Sequence, residues 1–234
     1  MSTEPDDPDH RLFAAIYDPA TALVERTLLR PHRRYLARDL DGTVLDLGAG
    51  TGATFPYLAD SGLVLHAVEP DDHMRRRAAE RARALGLDID LRSAGATDLP
   101  YADDTFDTVI ASMVFCTIGD PEAALDEAAR VLRPGGEFRF LEHVADDGWR
   151  EHVQHALAPL WRRLAGGCHL TRRTAALFAS HPAFDVVELE RRNLGLTPVR
   201  PFVRGGSAGV PDRRRHRPVL VHRVFIPAAT SSGQ

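Results

Sequence analysis

Between Thr43 and Gly52 the chain reads Thr-Val-Leu-Asp-Leu-Gly-Ala-Gly-Thr-Gly, and no other stretch limits its fold so strongly. A short apolar run that ends in alternating glycines predicts a buried strand running straight into a tight turn. At Gly48, Gly50 and Gly52, with Ala49 between the first two, the backbone can turn sharply and bring its N–H groups against a ligand where side chains would collide. Asp46, two residues before the first glycine, adds a second constraint. In dinucleotide-binding turns this position is usually apolar and the loop cradles a pyrophosphate at a helix N-terminus. A carboxylate sits badly beside phosphate but well beside a cationic amine or sulfonium. The segment therefore predicts a nucleotide pocket whose ligand carries a positive group.

A chain of 234 residues is long enough for one well-buried core, and its 44% hydrophobic and 26% charged content is that of a soluble globular domain. No window approaches the roughly 18 uninterrupted apolar residues of a membrane span. Met1 to His10 is acidic and polar without an apolar h-region, so residues 1–10 are expected to form a disordered leader and the protein to reside in the cytoplasm. Two cysteines, Cys116 and Cys168, stand far apart and outside C-x-x-C spacing. Spacing alone thus indicates no disulfide framework and no metal site. The net charge of −4 gives no general attraction for nucleic acid. Its positive residues are all arginine, clustered at Arg75–Arg77 on a predicted helix and at Arg213–Arg215 in a predicted loop.

Strand and helix patterns alternate along the chain. Helical stretches over Leu12–Leu40, interrupted at Pro19 and Pro31, precede a strand at Thr43–Leu47, a helix at Ala53–Asp60, a strand at Val64–Val68, a helix at His73–Leu85 and a strand at Ile89–Arg92. A strand at Thr108–Ser112, a helix at Ala123–Leu132 and a strand at Glu137–His143 continue the rhythm. This alternation predicts an α/β fold with a Rossmann-like, doubly wound, mostly parallel sheet. Two consecutive helices, Val153–Leu164 and Thr171–Ser180, then precede strands at Phe184–Glu190 and Val219–Phe225, read as an antiparallel strand pair at one sheet edge. One domain over 11–228 results: lid helices at 11–41, a cofactor-binding core at 43–143, acceptor-side helices at 150–182, a strand pair at 184–226, and a tail.

Three further pieces follow the glycine turn in order. Glu69-Pro70 ends the second strand about 20 residues on, where a carboxylate accepts hydrogen bonds from ribose hydroxyls. Gly95-Ala96-Thr97-Asp98-Leu99-Pro100 leads into Phe106-Asp107, and Leu132-Arg133-Pro134-Gly135-Gly136 stops a helix and opens a strand. Asp46-x-Gly48-x-Gly50-x-Gly52 and its successors together resemble the class I S-adenosylmethionine-dependent methyltransferases. That resemblance implies S-adenosyl-L-methionine as cofactor and assigns its binding to Asp46, Gly48, Ala49, Gly50, Gly52, Glu69, Pro70, Gly95, Ala96 and Ser112. The chain departs from the family where an acid usually precedes Ala96, since Gly95 stands there. Gly48, Gly50 and Ala53 also satisfy a G-x-G-x-x-A dinucleotide pattern, which keeps an NAD(P)-dependent oxidoreductase as the competing class.

The second half decides the acceptor. Val114–Ile118, Phe140–Val144 and Leu160-Trp161-Arg162 through Gly166–Arg172 resemble the methyltransferase-like thiol S-methyltransferases, relatives of the ubiquinone/menaquinone C-methyltransferases. The resemblance implies a small organic acceptor, a thiol before a phenol or quinol, and no nucleic-acid partner. Ser112-Met113-Val114-Phe115 lacks the N/D-P-P-Y/F pattern of base methylation. His143, at the C-terminal end of its strand where ligands collect in such sheets, is the candidate proton acceptor. Glu142 alternates to the other face and is expected to orient an N-terminal helix or a cofactor group. Cys116, Cys168, His169 and Trp161 are candidates for the acceptor wall. Tyr17, on the N-terminal helices, is assigned to a lid by family analogy.

Overall fold

The computed structural model describes residues 25–59, 62–192, 202–209 and 224–225. The expected leader, Tyr17 and the Arg213–Arg215 cluster lie outside the described residues. Strands β1 (Thr43–Leu47), β2 (Val64–Val68), β3 (Ile89–Arg92), β4 (Phe106–Ser112), β5 (Leu132–His143), β6 (Phe184–Arg192), β7 (Phe202–Gly209) and β8 (Val224–Phe225) form one sheet in the order β3-β2-β1-β4-β5-β7-β6-β8. Pairing is parallel from β3 through β5. Strand β7 runs antiparallel to both β5 and β6 and so lies between two strands of common direction. The order reverses between β1 and β4, and in open sheets a ligand crevice opens outside the carboxyl ends of strands at such a point.

Both faces of the sheet are covered, which is why β1 is buried from Val44 through Leu47 rather than alternating. On one face α1 (Arg30–Leu36) buries Leu36 against Val44, Ile110 and Leu141. The other face carries a cluster of aromatic rings, with Phe178 of α5 (Thr174–Ser180) 4.5 Å from Phe140 and 5.0 Å from Phe115. Each such buried ring contributes about 1.5–3 kcal/mol of hydrophobic stabilisation. The cluster fixes α5 and the start of β6 against β5 and the loop after β4. Helix α2 (Asp72–Ala84) is capped by Asp71, which accepts from the N–H groups of His73 and Met74 at 2.8 Å. Helix α3 (Pro121–Val131) is capped by Asp120, and α4 (Trp149–Leu164) spans the crossover to α5. No helix among the described residues is long and apolar enough to cross a membrane.

Three local expectations change. Pro31 does not interrupt the N-terminal helix. A π-helical turn at Glu25–Leu29 runs into α1 with Pro31 in its first turn, where a missing N–H costs little. The helix expected at Ala53–Asp60 reduces, within the described residues, to turns and one 3₁₀ turn at Phe55–Tyr57, which buries Phe55 against the glycine loop. The antiparallel partner of β6 is also not the strand expected at Val219–Phe225. Its antiparallel neighbour is β7, within the glycine-rich stretch that reads as a loop, whereas Val224–Phe225 pairs parallel to β6. Sterics explain this, because a Cβ on Gly205 would lie 2.0 Å from the Glu188 carbonyl oxygen and 2.8 Å from Phe140 Cζ. Only a glycine lets this strand pass between β5 and β6.

Candidate active site

Asp46 lies one residue before the end of β1, with 2% of its surface exposed. Its Oδ2 is buried and accepts no hydrogen bond. Burial pushes its carboxyl up to about 7; Arg33 opposes this, Glu69 adds to it, and a hydrogen bond from Thr54 opposes it again. A buried carboxylate oxygen left in that state is costly unless a ligand supplies a cation or N–H donor. In the turn beyond it, Gly50 has φ +57° and open space around the Cβ position, whereas Gly48 and Gly52 are packed against other side chains. Gly48 has φ +68°, and a Cβ there would stand 2.2 Å from Val114 Cγ2. At Gly52, φ is +76° and a Cβ would meet the Phe55 ring at 2.6 Å.

The Glu69 carboxylate bridges two backbone segments, accepting from Gly50 N–H at 2.8 Å and from Asp71 N–H at 3.0 Å. Each oxygen keeps acceptor capacity for a ribose hydroxyl. Burial raises its pKa against those two hydrogen bonds. Pro70, which follows it, is exposed, and its carbonyl accepts from Arg75 at 3.2 Å. Gly95 and Ala96 are half-buried at the start of a loop anchored from α3. Glu127 accepts from Leu99 N–H at 2.8 Å, and Arg130 donates to the carbonyls of Leu99 and Tyr101 at 3.1 and 2.8 Å. Asp98 is exposed.

One side chain of this site, Arg33, is marked by no motif in the sequence. Arg33 of α1 is 3% exposed and donates to Ser112 Oγ at 2.8 Å and Thr54 Oγ1 at 3.2 Å, while Glu25 pairs with it at 2.7 Å. It joins the N-terminal helix to the end of β4 and to the glycine turn, and supplies the positive charge that opposes the rise at Asp46. The signal available was an Arg-rich, otherwise ordinary helix, in which Arg30, Arg33, Arg34 and Arg38 are equivalent on paper.

Beyond Ser112 the chain turns at Met113, a non-glycine residue at φ +62°. Glu142 holds the following loop, accepting from Val114 N–H at 2.8 Å and Phe115 N–H at 2.9 Å. It is fully buried and its carboxyl is pushed up to about 8 by that burial. Glu142 thus buttresses this loop; on the end of a strand buried on both faces, it reaches the backbone donors of Val114 and Phe115.

His143, Cys116 and Cys168 come together there, all buried. The His143 Nδ1 lies 3.8 Å from Cys168 Sγ. The adjacent Cys116 thiol, then His143 and Trp161, holds the Cys168 thiol below the usual range against its burial, while Cys168 and burial raise Cys116, whose thiol donates to the Met113 carbonyl at 3.7 Å. His169 and Trp161, both partly exposed, flank Cys168. The His169 N–H donates to the Cys116 carbonyl at 2.8 Å, and Arg172 donates to the carbonyls of Phe115 and Ile118, the latter at 2.6 Å. Burial, then Arg172 and Arg162, lower the His169 pKa.

The site thus offers a left-handed glycine turn that is open at Gly50, a buried acid with an unmet oxygen, and a second acid at the end of β2. These features fit an adenosyl cofactor carrying a cation. Residues 45–140 match the family model described as a methyltransferase domain. The human protein named thiol S-methyltransferase TMT1A is 31% identical over 167 residues, which cover 69% of this chain and 68% of that protein. A demethylmenaquinone methyltransferase of Paenarthrobacter aurescens is 32% identical over 63% of this chain and 54% of its own length. Among solved structures, an S-adenosylmethionine-dependent methyltransferase from Thermotoga maritima superposes with a TM-score of 0.63 at 22% identity, covering 85% of this chain and 97% of that one. Glycine turn, acids, sheet order and these relationships agree: the chain belongs to the S-adenosylmethionine-dependent methyltransferases.

Proposed function

We propose that this enzyme methylates the sulfur of a small organic thiol. The observation that carries the reading is a convergence at the C-terminal ends of β4 and β5. The stretches 114–118, 140–144 and 166–172, which resemble thiol S-methyltransferases in sequence, meet there through the His169–Cys116 and Arg172–Ile118 hydrogen bonds. The similarity to the human thiol S-methyltransferase supports the same acceptor.

When bound, the cofactor supplies a methyl group on a sulfonium, open to in-line displacement. Asp46 would pair with its positive charge, Glu69 with its ribose, Ala96 with its base, and Ser112 and the Gly48–Gly52 backbone would line its path. The chain then has to align the acceptor, exclude water and take one proton. An ordinary thiol with a pKa near ~8.5 needs only a modest push. We assign that proton to His143, held against Cys168, with Trp161 and His169 forming the wall on the more exposed side. Both thiols being free, a reducing compartment suits this chemistry.

The test is incubation with S-adenosylmethionine and a panel of thiols, phenols, quinols and amines, with products read by mass spectrometry. Methyl thioethers formed together with S-adenosylhomocysteine are the expected result. Methylation confined to oxygen, carbon or nitrogen, with every thiol unchanged, would overturn the reading. The likeness to a demethylmenaquinone methyltransferase favours carbon methylation of a quinol as the second reading, and the same panel separates the two.

A further inference from the structure

We propose that Cys116, Cys168 and His143 form a binding site for a soft divalent cation, zinc(II) first. Two thiol sulfurs and an imidazole nitrogen, one atom from each residue, lie within 4.8 Å of one another. Zinc–sulfur bonds of ~2.3 Å and zinc–nitrogen bonds of ~2.0 Å at a tetrahedral angle require separations of about 3.6 Å between S and N and about 3.8 Å between two S. The observed Cys168 Sγ to His143 Nδ1 separation is 3.8 Å, so sub-ångström adjustments complete the geometry there.

The donors come from three different places, each braced by hydrogen bonds to its surroundings. His143 ends β5. Cys116 sits on the loop held by Glu142, and its carbonyl is tied to His169 N–H. Cys168 follows α4, its own N–H bonded to the Ala165 carbonyl at 3.1 Å. Such support from neighbouring groups is what keeps metal ligands oriented before the ion arrives. Sulfur and imidazole donors select zinc over magnesium or calcium, and three protein ligands leave one position open, as in zinc sites that bind an exchangeable ligand. Each thiol that enters coordination gives up its proton.

The inference rests on this donor set alone and not on the acceptor proposed above. It uses the imidazole assigned there to proton transfer, so the zinc-loaded and proton-accepting forms exclude one another. The test uses the full reduced chain, purified with a chelator, loaded with zinc alone and desalted. About one zinc per chain is expected, falling at least fivefold in Cys116→Ser and in Cys168→Ser, with His143→Cys retaining it. Cobalt(II) in place of zinc should give thiolate-to-metal charge-transfer absorption. A readout that needs no variant is alkylation of the wild-type chain followed by mass spectrometry: zinc should slow modification of both cysteines at least tenfold.

Loss of zinc from the wild type on desalting, equal retention by a folded variant lacking both cysteines, or alkylation indifferent to zinc would each overturn the site. A chain that methylates thiols but keeps no zinc refutes this inference and leaves the proposed function standing. A chain that keeps zinc and methylates only phenols does the reverse.

Discussion

Raising the pH from 6 to 8 should tighten cofactor binding about tenfold through one residue, Asp46. Its carboxyl stands at about 7 because it is wholly buried, with Glu69 adding to the rise and Arg33 and Thr54 opposing it. Only the ionised form attracts a cation, so affinity falls as the proton goes on. Near a pKa of 7 roughly one-eleventh of the population is ionised at pH 6 and ten-elevenths at pH 8, a tenfold difference or ~1.4 kcal/mol. Titration calorimetry with S-adenosylmethionine across this range, in two buffers of different ionisation enthalpy, reads both the affinity and the proton released on binding. Asp46→Asn isolates the residue from Glu142, whose carboxyl stands at about 8. The variant should bind weakly and show a markedly flatter profile. A flat wild-type profile with no proton released, or the full wild-type slope surviving in Asp46→Asn, would refute the reasoning. The same shift acts on stability with the opposite sign. A carboxyl raised in the folded state costs stability as pH climbs from about 4 to about 7, so without cofactor Asp46→Asn should melt above the wild type at pH 8, and the gap should close as the pH is lowered toward 4.

Replacing Arg33 with Met removes the charge that opposes the rise at Asp46 and should move the midpoint of that binding profile upward; an unmoved midpoint would remove Arg33 from the electrostatics of the site. Gly48→Ala places a methyl 2.2 Å from Val114 Cγ2 at φ +68° and should weaken cofactor binding at least ~10-fold by calorimetry. In β7, Gly205→Ala drives a Cβ into the Glu188 carbonyl and should lower stability by about 3 kcal/mol or more in denaturant titrations. Gly206→Ala, 3.0 Å from the movable end of Glu137, should cost under about 1 kcal/mol. His143→Ala should reduce turnover ~100-fold while leaving cofactor affinity within about a factor of two, as judged by kinetics and calorimetry together.

Patterns local in sequence are legible on their own. The run Thr43–Gly52, the acid at Glu69 and the alternation of strand and helix specify their own backbone, because glycine dihedral freedom and side-chain periodicity act over a few residues. They led to the sheet class, the donor cofactor and the residues proposed to hold it. The roles that were not legible depend on long-range partners. Arg33 differs from Arg30 and Arg34 only in facing Thr54 and Ser112. Glu142 reads as a strand residue until the backbone donors of Val114 and Phe115 are placed opposite it. The glycines of β7 read as a loop because their function is to leave space between two strands that are distant in the chain.

What the sequence determined by itself is therefore the cofactor half: a glycine turn preceded by an acid admits an adenosyl ligand with a positive charge and few others. Only the tertiary structure assembled the cysteine–histidine cluster beside it. Cys116, His143 and Cys168 carry no shared spacing, and they become one cluster because β4, β5 and the loop after α4 end at the same place. A local pattern fixes local backbone. Chemistry that needs three donors within a few ångströms depends on where the sheet order brings distant strand ends together.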